Sequence, residues 1–211
     1  IDPVRYITNR SSGKMGYAMA AAALAEGADV VLVSGPVNLS PAPGVTVVNV
    51  ESAEEMYDAA HEAVAGADIF IAAAAVADYR PASAAVQKIK KKNEAMSIDL
   101  VRCPDILASV AALDDAPFTV GFAAETENVL EYARGKLVKK NLDMIVANRV
   151  GRNLGFDRDD NAATALWREG ERDFPTASKR ELARQLIELT AEHFNAASGT
   201  AAGLSVISRQ D

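Results

Sequence analysis

The sequence predicts an α/β protein with a Rossmann-like, doubly wound and mostly parallel sheet, helices on both faces, and a small β-hairpin extension. Helix-like and strand-like segments alternate along most of the 211 residues, which is typical of strands joined by crossover helices. The strand-like segments are continuous apolar runs, as expected for strands buried on both faces. With 49% hydrophobic but only 6% aromatic residues, the chain can bury one core made mainly of small side chains.

The first part of the chain contains two predicted helices and three predicted strands. Residues 13–26 predict an alanine-rich helix that ends at Gly27, a residue suited to the left-handed position beyond a helix. Residues 52–65 predict a second helix, because Ser52 and Glu55 have the spacing of a capping box. The strands are predicted at residues 29–33, 45–50 and 69–76.

The remainder continues the alternation and adds two segments that resemble hairpins. Helices are predicted at residues 104–113, 128–140 and 179–194, and strands at residues 118–123 and 144–147. The hairpin-like segments are residues 79–101 and 162–174. We expect residues 1–194 to form a single domain and residues 195–211, which are small and polar, to form a flexible tail.

Charge and composition exclude several classes of protein. A formal net charge of −7 argues against general nucleic-acid binding, and the single cysteine excludes an internal disulfide and a cysteine-based zinc site. No apolar run approaches about 18 residues and no charged-then-apolar leader opens the chain, so we expect no membrane span and no signal peptide. We expect a cytoplasmic protein, and the absence of an initial methionine predicts a longer polypeptide upstream.

A cluster of like charges stands out in this acidic chain. Residues 88–92 read KIKKK, four lysines in five positions. The four positive charges repel one another. Water screens this repulsion if the run is a solvated surface, and a bound polyanion neutralises it if the run is a binding site. We expect residues 88–92 to be poorly ordered when no polyanion is bound.

The segment before the first helix has the composition of an anion site. Residues 9–16 read NRSSGKMG, and free N–H groups at a helix N-terminus attract phosphates. The segment is not a P-loop, because Met15 stands where a magnesium-binding Ser or Thr is required. A dinucleotide fingerprint is also incomplete, since the strand predicted after the first helix, residues 29–33, is followed by Ser34, Gly35 and Pro36 rather than by an acidic residue.

Five segments together resemble the phosphopantothenoylcysteine synthetases. They are residues 2–16 (DPVRYITNRSSGKMG), 73–80 (AAAVADYR), 88–91 (KIKK), 121–126 (GFAAET) and 155–161 (GFDRDDN). The resemblance extends from Ile1 to about Phe194, with the segments in the expected order. In many bacteria this synthetase follows a flavin-dependent decarboxylase, so FMN is expected only if such a domain lies upstream.

The resemblance implies a two-step ligase of coenzyme A biosynthesis. The carboxylate of 4′-phosphopantothenate attacks the α-phosphorus of CTP and gives an acyl-cytidylate and pyrophosphate. The amine of L-cysteine then displaces CMP and forms 4′-phosphopantothenoylcysteine. Because the first step gathers several anions, cations must neutralise the site, and the resemblance implies Mg²⁺ or Mn²⁺ together with lysines.

The resemblance implies two catalytic residues. Lys88 is expected to stabilise the triphosphate and the charge that develops on the α-phosphate, with Lys90 and Lys91 assisting. Asn9 is expected to handle the acyl-cytidylate in the second step. The same loop is expected to contact substrate and phosphate through Asn9, Ser11, Ser12 and Gly13.

The resemblance also implies a set of CTP-binding residues. They are Ala73, Ala74, Ala75, Asp78, Lys88, Cys103, Pro104, Asp105, Ile106, Phe122, Lys136 and Lys140. Asp78 is expected to act through the metal or the nucleotide, with a turn cap as the alternative. Phe122 is equally compatible with core packing, and Lys136 and Lys140 with a solvated helix end. Cys103 replaces the usual asparagine, which places any side-chain contact there in question.

The same resemblance implies a homodimer with an interface at the hairpins, and a larger assembly if a decarboxylase is attached. It also implies a first strand and a phosphate-binding loop upstream of Asp2. Two other functions stay open from the residues alone: an NAD(P)-dependent oxidoreductase and a non-catalytic nucleotide-binding module. The preference for CTP over ATP cannot be derived from a readable base contact.

Overall fold

The computed structural model describes residues 1–90, 94–125, 127–149 and 159–199. The helices are α1 (Lys14–Ala25), α2 (Ala53–Ala63), α3 (Ile106–Ala111), α4 (Val129–Lys139) and α5 (Lys179–Ala197). The strands are β1 (Val31–Ser34), β2 (Thr46–Asn49), β3 (Ile69–Ala72), β4 (Tyr79–Pro81), β5 (Leu100–Arg102), β6 (Phe118–Glu125), β7 (Met144–Arg149), β8 (Asp160–Trp167) and β9 (Gly170–Ser178). Disorder was predicted for residues 88–92, but the backbone of Ile89 is hydrogen-bonded to Asp2 and Arg5, which runs against that prediction at this position. Lys91 and Lys92 lie outside the described residues, as do the motif residues Thr126 and 155–158 and residues 200–211 of the expected tail.

The central sheet has five strands in the order β3-β6-β7-β8-β9. Strands β3, β6 and β7 run parallel, whereas β8 and β9 form the predicted hairpin and add antiparallel pairs at one edge. Strands β1 and β2 form a separate parallel pair, and β4 and β5 a separate antiparallel pair. The structure therefore confirms the α/β class, with a mixed and mostly parallel sheet.

Helices cover both faces of the central sheet, as predicted. On one face, α1 and α5 pack over the sheet and bury Met19 of α1 with Leu182 and Leu186 of α5. On the other face, α3 and α4 contribute Ala111 and Leu137 to a second apolar cluster. Each helix buries one apolar stripe, so the two clusters fix the sheet between two helical layers.

Local signals set most of the helix ends. The predicted capping box is present, since the Ser52 hydroxyl accepts a hydrogen bond from the Glu55 N–H and the Glu55 carboxylate accepts one from the Ser52 N–H. Helix α3 begins after Asp105, whose carboxylate accepts a hydrogen bond from the Ala108 N–H at 3.1 Å. Cys103 is therefore not the cap of this helix. Helix α5 continues to Ala197, past the predicted end at residue 194.

The sheet is interrupted beside β3. Within the described ranges, β1 pairs only with β2, and β3 pairs only with β6. A slot separates these two edges and opens into a cleft of about 2170 Å³. Apolar side chains from both layers line the slot, including Leu32, Ile71, Met19 and Ala60.

The described helices include none that is long and apolar enough to cross a membrane.

Candidate active site

The cleft runs along the carboxyl ends of β1 and β3, where ligands of open α/β sheets bind. Most of the predicted site residues line it: Asn9, Ser11, Gly13, Ala73, Ala74, Ala75, Asp78, Cys103, Pro104, Asp105, Ile106, Phe122 and Lys140. Ser12, Lys88 and Lys136 do not belong to this lining. Five separate parts of the sequence thus converge on one cavity: residues 9–13, 73–78 and 103–106, Phe122, and Lys140.

Asn9 connects the first two of these stretches. Its side-chain Nδ2 donates a hydrogen bond to the backbone carbonyl oxygen of Val76 at 2.9 Å. Asn9 is exposed to the cleft, so the remaining donor and acceptor of its amide face the open space. The arrangement places an adaptable amide beside the segment that follows β3.

Gly13 gives the loop before α1 its shape. Its φ angle of 73° lies in the left-handed region, where residues with a side chain are strained. A Cβ at this position would lie 2.8 Å from Cγ1 of Val37, so the loop approaches the segment after β1 closely. The Gly13 N–H donates to the hydroxyl of Ser11 at 3.2 Å, which holds both residues against the cleft.

The segment after β3 presents small side chains and one carboxylate. Ala74 and Ala75 are exposed, which leaves room for a ligand to approach the backbone. Asp78 is also exposed, and its carbonyl oxygen accepts a hydrogen bond from the Cys103 N–H at 2.9 Å. Together with the pairing of β4 and β5, this bond brings residues 103–106 to the cleft.

Cys103 is half-buried and lies near charged neighbours. Burial raises the pKa of its thiol, and the positive charge of Arg80 only partly opposes that change. The thiol therefore stays protonated at neutral pH, which supports the expectation that it is not a nucleophile. Arg80 itself forms an ion pair with Glu54 of α2 at 2.6 Å.

Lys140 is the described cation most clearly placed at the cleft. Its Nζ lies 2.8 Å from Oδ2 and 3.0 Å from Oδ1 of Asp105. Burial opposes ionisation of Asp105, but the hydrogen bonds from Lys140 and from the Ala108 N–H prevail and lower its pKa. Lys139 also lines the cleft, whereas Lys136 lies one turn earlier and is exposed outside it. A phosphate that binds Lys140 must share it with Asp105 or displace Asp105.

Phe122 packs in the core, as one of its two predicted roles requires, and it also reaches the cleft. The ring is half-buried and packs against the apolar cluster beneath α1 and α5. It also lines the cleft. The residue is therefore a core side chain with one part accessible to a ligand.

The lysine segment lies against the beginning of the chain. Lys88 and Lys90 are exposed, while the Ile89 between them is hydrogen-bonded to Asp2 and Arg5. Residues 6–9 continue from this contact into the cleft. The structure thus connects the lysine segment to the Asn9 loop through residues 2–5.

Several cleft residues were not predicted from sequence. Lys139 was missed although it neighbours Lys140, because the helical spacing of four residues favoured Lys136. Arg80 lies inside a predicted motif and Arg102 beside one, yet neither was assigned a role. The Tyr17 hydroxyl, 3.1 Å from the Ser34 hydroxyl across the cleft, had no recognisable signal in the sequence.

A divalent cation has one suitable carboxylate at the predicted position. No group of three or more His, Cys, Asp or Glu side chains that could hold a metal occurs in the part of the chain described here. Asp78 is exposed at the carboxyl edge of the sheet and lines the cleft. One carboxylate fits Mg²⁺, which is commonly held by phosphate oxygens, water and one or two carboxylates.

Comparison with known proteins adds independent information. Residues 1–194 match the family model described as the DNA/pantothenate metabolism flavoprotein C-terminal domain. The chain is 57% identical over 196 residues to the coenzyme A biosynthesis bifunctional protein CoaBC of Vibrio parahaemolyticus, covering 91% of this chain and 49% of that protein. It is 51% identical over 193 residues to the CoaBC protein of Escherichia coli, covering 89% and 48%.

A solved structure is similar over nearly the whole chain. The crystal structure of the C-terminal domain of a CoaBC protein superposes with a TM-score of 0.77 and 42% sequence identity, covering 94% of this chain and 90% of that one. The chain spans about half the length of the curated relatives that it matches. The similarity therefore concerns one part of those bifunctional proteins.

Proposed function

The chain belongs to the family of the DNA/pantothenate metabolism flavoprotein C-terminal domain, and from this premise we propose that it is a phosphopantothenate–cysteine ligase of coenzyme A biosynthesis that uses CTP. The observation that carries the proposal is the convergence of predicted site residues from five parts of the sequence on one cleft. Relatives named for coenzyme A biosynthesis and a similar C-terminal domain structure support it.

In the proposed first step, a carboxylate oxygen of 4′-phosphopantothenate attacks the α-phosphorus of CTP. The bond between that phosphorus and the bridging oxygen of pyrophosphate breaks, which leaves an acyl-cytidylate. Negative charge accumulates on the phosphate oxygens, so cations at the cleft lower the barrier. We assign Lys88 to this role, with Lys90, Lys91, Lys136 and Lys140 as further cations. Lys140 lines the cleft, whereas Lys88 and Lys136 lie outside its lining, so this assignment requires the exposed Lys88 to reach the triphosphate when the nucleotide binds.

In the proposed second step, the amine nitrogen of L-cysteine attacks the acyl carbon. The bond from that carbon to the CMP oxygen breaks, and the nitrogen loses a proton to solvent or to the leaving phosphate. We assign Asn9 to orienting the acyl-cytidylate. The support is its position: one amide hydrogen binds the Val76 carbonyl, and the residue is exposed and lines the cleft, so its other donor and its acceptor are available to a ligand.

The proposed nucleotide site uses the segments around β3 and β5. Residues 73–75 offer backbone groups to the base, and residues 103–106 and Phe122 form the adjoining wall of the cleft. Ser11, Ser12 and Gly13 are assigned to the substrate phosphates. Asp78 is the residue that would hold Mg²⁺ or Mn²⁺, and such an ion supplies positive charge to the triphosphate.

One assay separates this function from its alternatives. The protein is incubated with CTP, 4′-phosphopantothenate, L-cysteine and magnesium, and CMP, pyrophosphate and the amide product are measured. The ligase yields all three, whereas a non-catalytic module binds CTP and yields none. An NAD(P)-dependent oxidoreductase would instead bind NAD(P)H. Parallel reactions with ATP test the nucleotide preference.

We also propose that a strand preceding Ile1 fills the slot between β1 and β3. Within the described residues, β1 pairs only with β2 and β3 pairs only with β6, so each strand has one unpaired edge. Ile1 itself lines the cleft beside them. A parallel strand there would join the two separate sheets into one continuous doubly wound sheet. This strand, and a decarboxylase with its FMN further upstream, belong to the longer polypeptide that we infer.

We propose a homodimer that uses the β4–β5 hairpin. Tyr79 and Leu100 lie on the same face of this hairpin and are 48% and 47% exposed, and Met96 between the strands is 54% exposed. Exposed apolar side chains on one face are typical of a surface that another protein covers. Analytical ultracentrifugation tests this proposal, and Leu100→Glu is expected to shift the dimer toward monomer.

A further inference from the structure

Residues 1–5 hold the backbone on both sides of Lys88. The Ala85 N–H donates to the carbonyl oxygen of Ile1 at 3.0 Å. On the other side, the Ile89 N–H donates to Oδ2 of Asp2 at 3.1 Å, and Nη2 of Arg5 donates to the Ile89 carbonyl oxygen at 2.9 Å. Both peptide groups of Ile89 are therefore fixed, and these groups join it to Lys88 and to Lys90.

Asp2 is the centre of this contact. Its side chain has 0% accessible surface, and its carboxylate accepts hydrogen bonds from the N–H groups of Val4 and Arg5 as well as from Ile89. Nη2 of Arg5 completes the set, 2.5 Å from Oδ2. The hydrogen bond from the Arg5 guanidinium holds the pKa of Asp2 well below its usual range, so the carboxylate remains charged at any pH where enzymes work.

The same short segment leads to Asn9. Residues 6–9 follow Arg5 along the cleft, and Asn9 binds the Val76 carbonyl at their end. The lysine segment is thus tied to residues that are 84 and 87 positions away in sequence, and these residues also carry the asparagine of the second step. A fixed distance between two groups that act on one intermediate is what catalysis by positioning requires.

We propose that Asp2 is a positioning residue, which holds the backbone of Lys88 in place relative to Asn9 by binding the Ile89 N–H and orienting Arg5 onto the Ile89 carbonyl. The proposal rests on the proposed ligase function for its catalytic consequence, but the contact itself does not depend on that function. Without Asp2, the mutual repulsion of the lysines in residues 88–92 is no longer opposed by this contact, and Lys88 loses its defined position.

The first test measures the contact directly. Trypsin cleaves after Lys88 and Lys90 only when the backbone there unfolds locally. The cleavage rate of the folded protein therefore measures how firmly residues 1–5 hold this segment. Asp2→Asn is expected to accelerate this cleavage about tenfold, since one hydrogen-bond acceptor loses its charge. Arg5→Lys keeps a positive charge beside Asp2 but loses the forked geometry, and a smaller acceleration is expected.

A matched control removes a comparable ion pair elsewhere. Glu171 lies 2.5 Å from Arg134, outside the cleft lining, and Glu171→Gln is expected to leave the cleavage rate and the activity unchanged. If Asp2→Asn does not fold, Arg5→Lys alone decides the question. Cleavage of both variants at the wild-type rate would overturn the proposal.

The second test asks whether Asp2 acts through Lys88. Asp2→Asn is expected to slow pyrophosphate release about tenfold in the wild-type background, but less than about threefold when Lys88 is already replaced by arginine. An equal factor in both backgrounds would show a merely structural role and contradict the proposal. If the wild-type protein releases no pyrophosphate even when it is extended at its amino end, the ligase function fails, and the trypsin result still decides whether Asp2 holds the segment.

Discussion

The amide of Asn9 donates a hydrogen bond at 2.9 Å to the backbone carbonyl of Val76, which lies 67 positions later in the sequence. The bond brings the loop before α1 to the segment after β3 and forms one wall of the cleft. It also restrains the amide, because one of its hydrogens is committed to the Val76 carbonyl while the residue stays exposed at the cleft. The proposed division between two chemical steps depends on this restraint.

Asn9→Asp is expected to allow the first step and to slow the second. A carboxylate cannot donate to the Val76 carbonyl and repels the phosphate of the intermediate, so the loss is on the order of 100-fold, as for other lost transition-state donors. Rapid-quench experiments should show acyl-cytidylate accumulating while amide formation lags. Asn49→Asp, the same change at an exposed position on β2, should leave both rates unchanged; similar accumulation in that variant would contradict the role given to Asn9.

Gly13→Ala is expected to destabilise the protein by about 2 kcal/mol, because a side chain is strained at this positive φ and its Cβ would lie 2.8 Å from Val37. Urea unfolding followed by circular dichroism measures the effect. Gly27→Ala is the matched control, since Gly27 also has a positive φ of 88° but a Cβ there would meet no atom within 4 Å. Equal losses in the two variants would mean that the contact with Val37 has no energetic weight.

The Asp105–Lys140 pair predicts a pH dependence. Because the folded protein lowers the pKa of Asp105, the pair stabilises the fold above the unfolded-state value of about 3.9, and this stabilisation is lost as the pH falls through the lower folded-state value. Lys140→Gln should therefore cost up to about 1 kcal/mol of unfolding free energy at pH 7, and the difference from wild type should shrink below about pH 4. A difference that grows toward acidic pH would contradict this assignment.

The sequence was sufficient for the elements and much of the cleft, because their signals are local. The capping box at Ser52 and Glu55, and the apolar run at β3, can be recognised within a few residues. The helix predicted at residues 104–113 is shorter in the structure, since α3 spans Ile106–Ala111 and Asp105 caps its start. Strand β3 ends at Ala72 rather than at residue 76, because the following alanines turn into the cleft wall.

Contacts between distant residues could not be predicted. Nothing local in the sequence pairs Asp2 with Ile89, or distinguishes Lys139 from Lys136 as the lysine at the cleft. These relations depend on how the sheet and the hairpins bring segments together. The separation of β1 and β2 from the central sheet is likewise a property of the assembled fold.

The open slot predicts how the protein responds to added sequence. In the 211-residue chain, amides on the free edges of β1 and β3 should exchange hydrogen rapidly, because water reaches them. In a version extended at its amino end, a strand in the slot should protect these amides and raise the melting temperature. Protection of the β8 and β9 pair, which already has both strands, serves as the internal control. Unchanged exchange at β1 and β3 would exclude a strand in the slot.

The central claim is that this cleft joins a carboxylate to cysteine at the expense of CTP, with Lys88 serving the first step. The most direct measurement is single-turnover pyrophosphate release from CTP and 4′-phosphopantothenate, by wild type and by Lys88→Gln, in a version extended at its amino end. We predict rapid release by wild type, no detectable release by Lys88→Gln, and amide product only when L-cysteine is added to wild type. Release by Lys88→Gln at the wild-type rate would contradict the assignment of Lys88, and the absence of pyrophosphate, CMP and amide from wild type would contradict the ligase function itself.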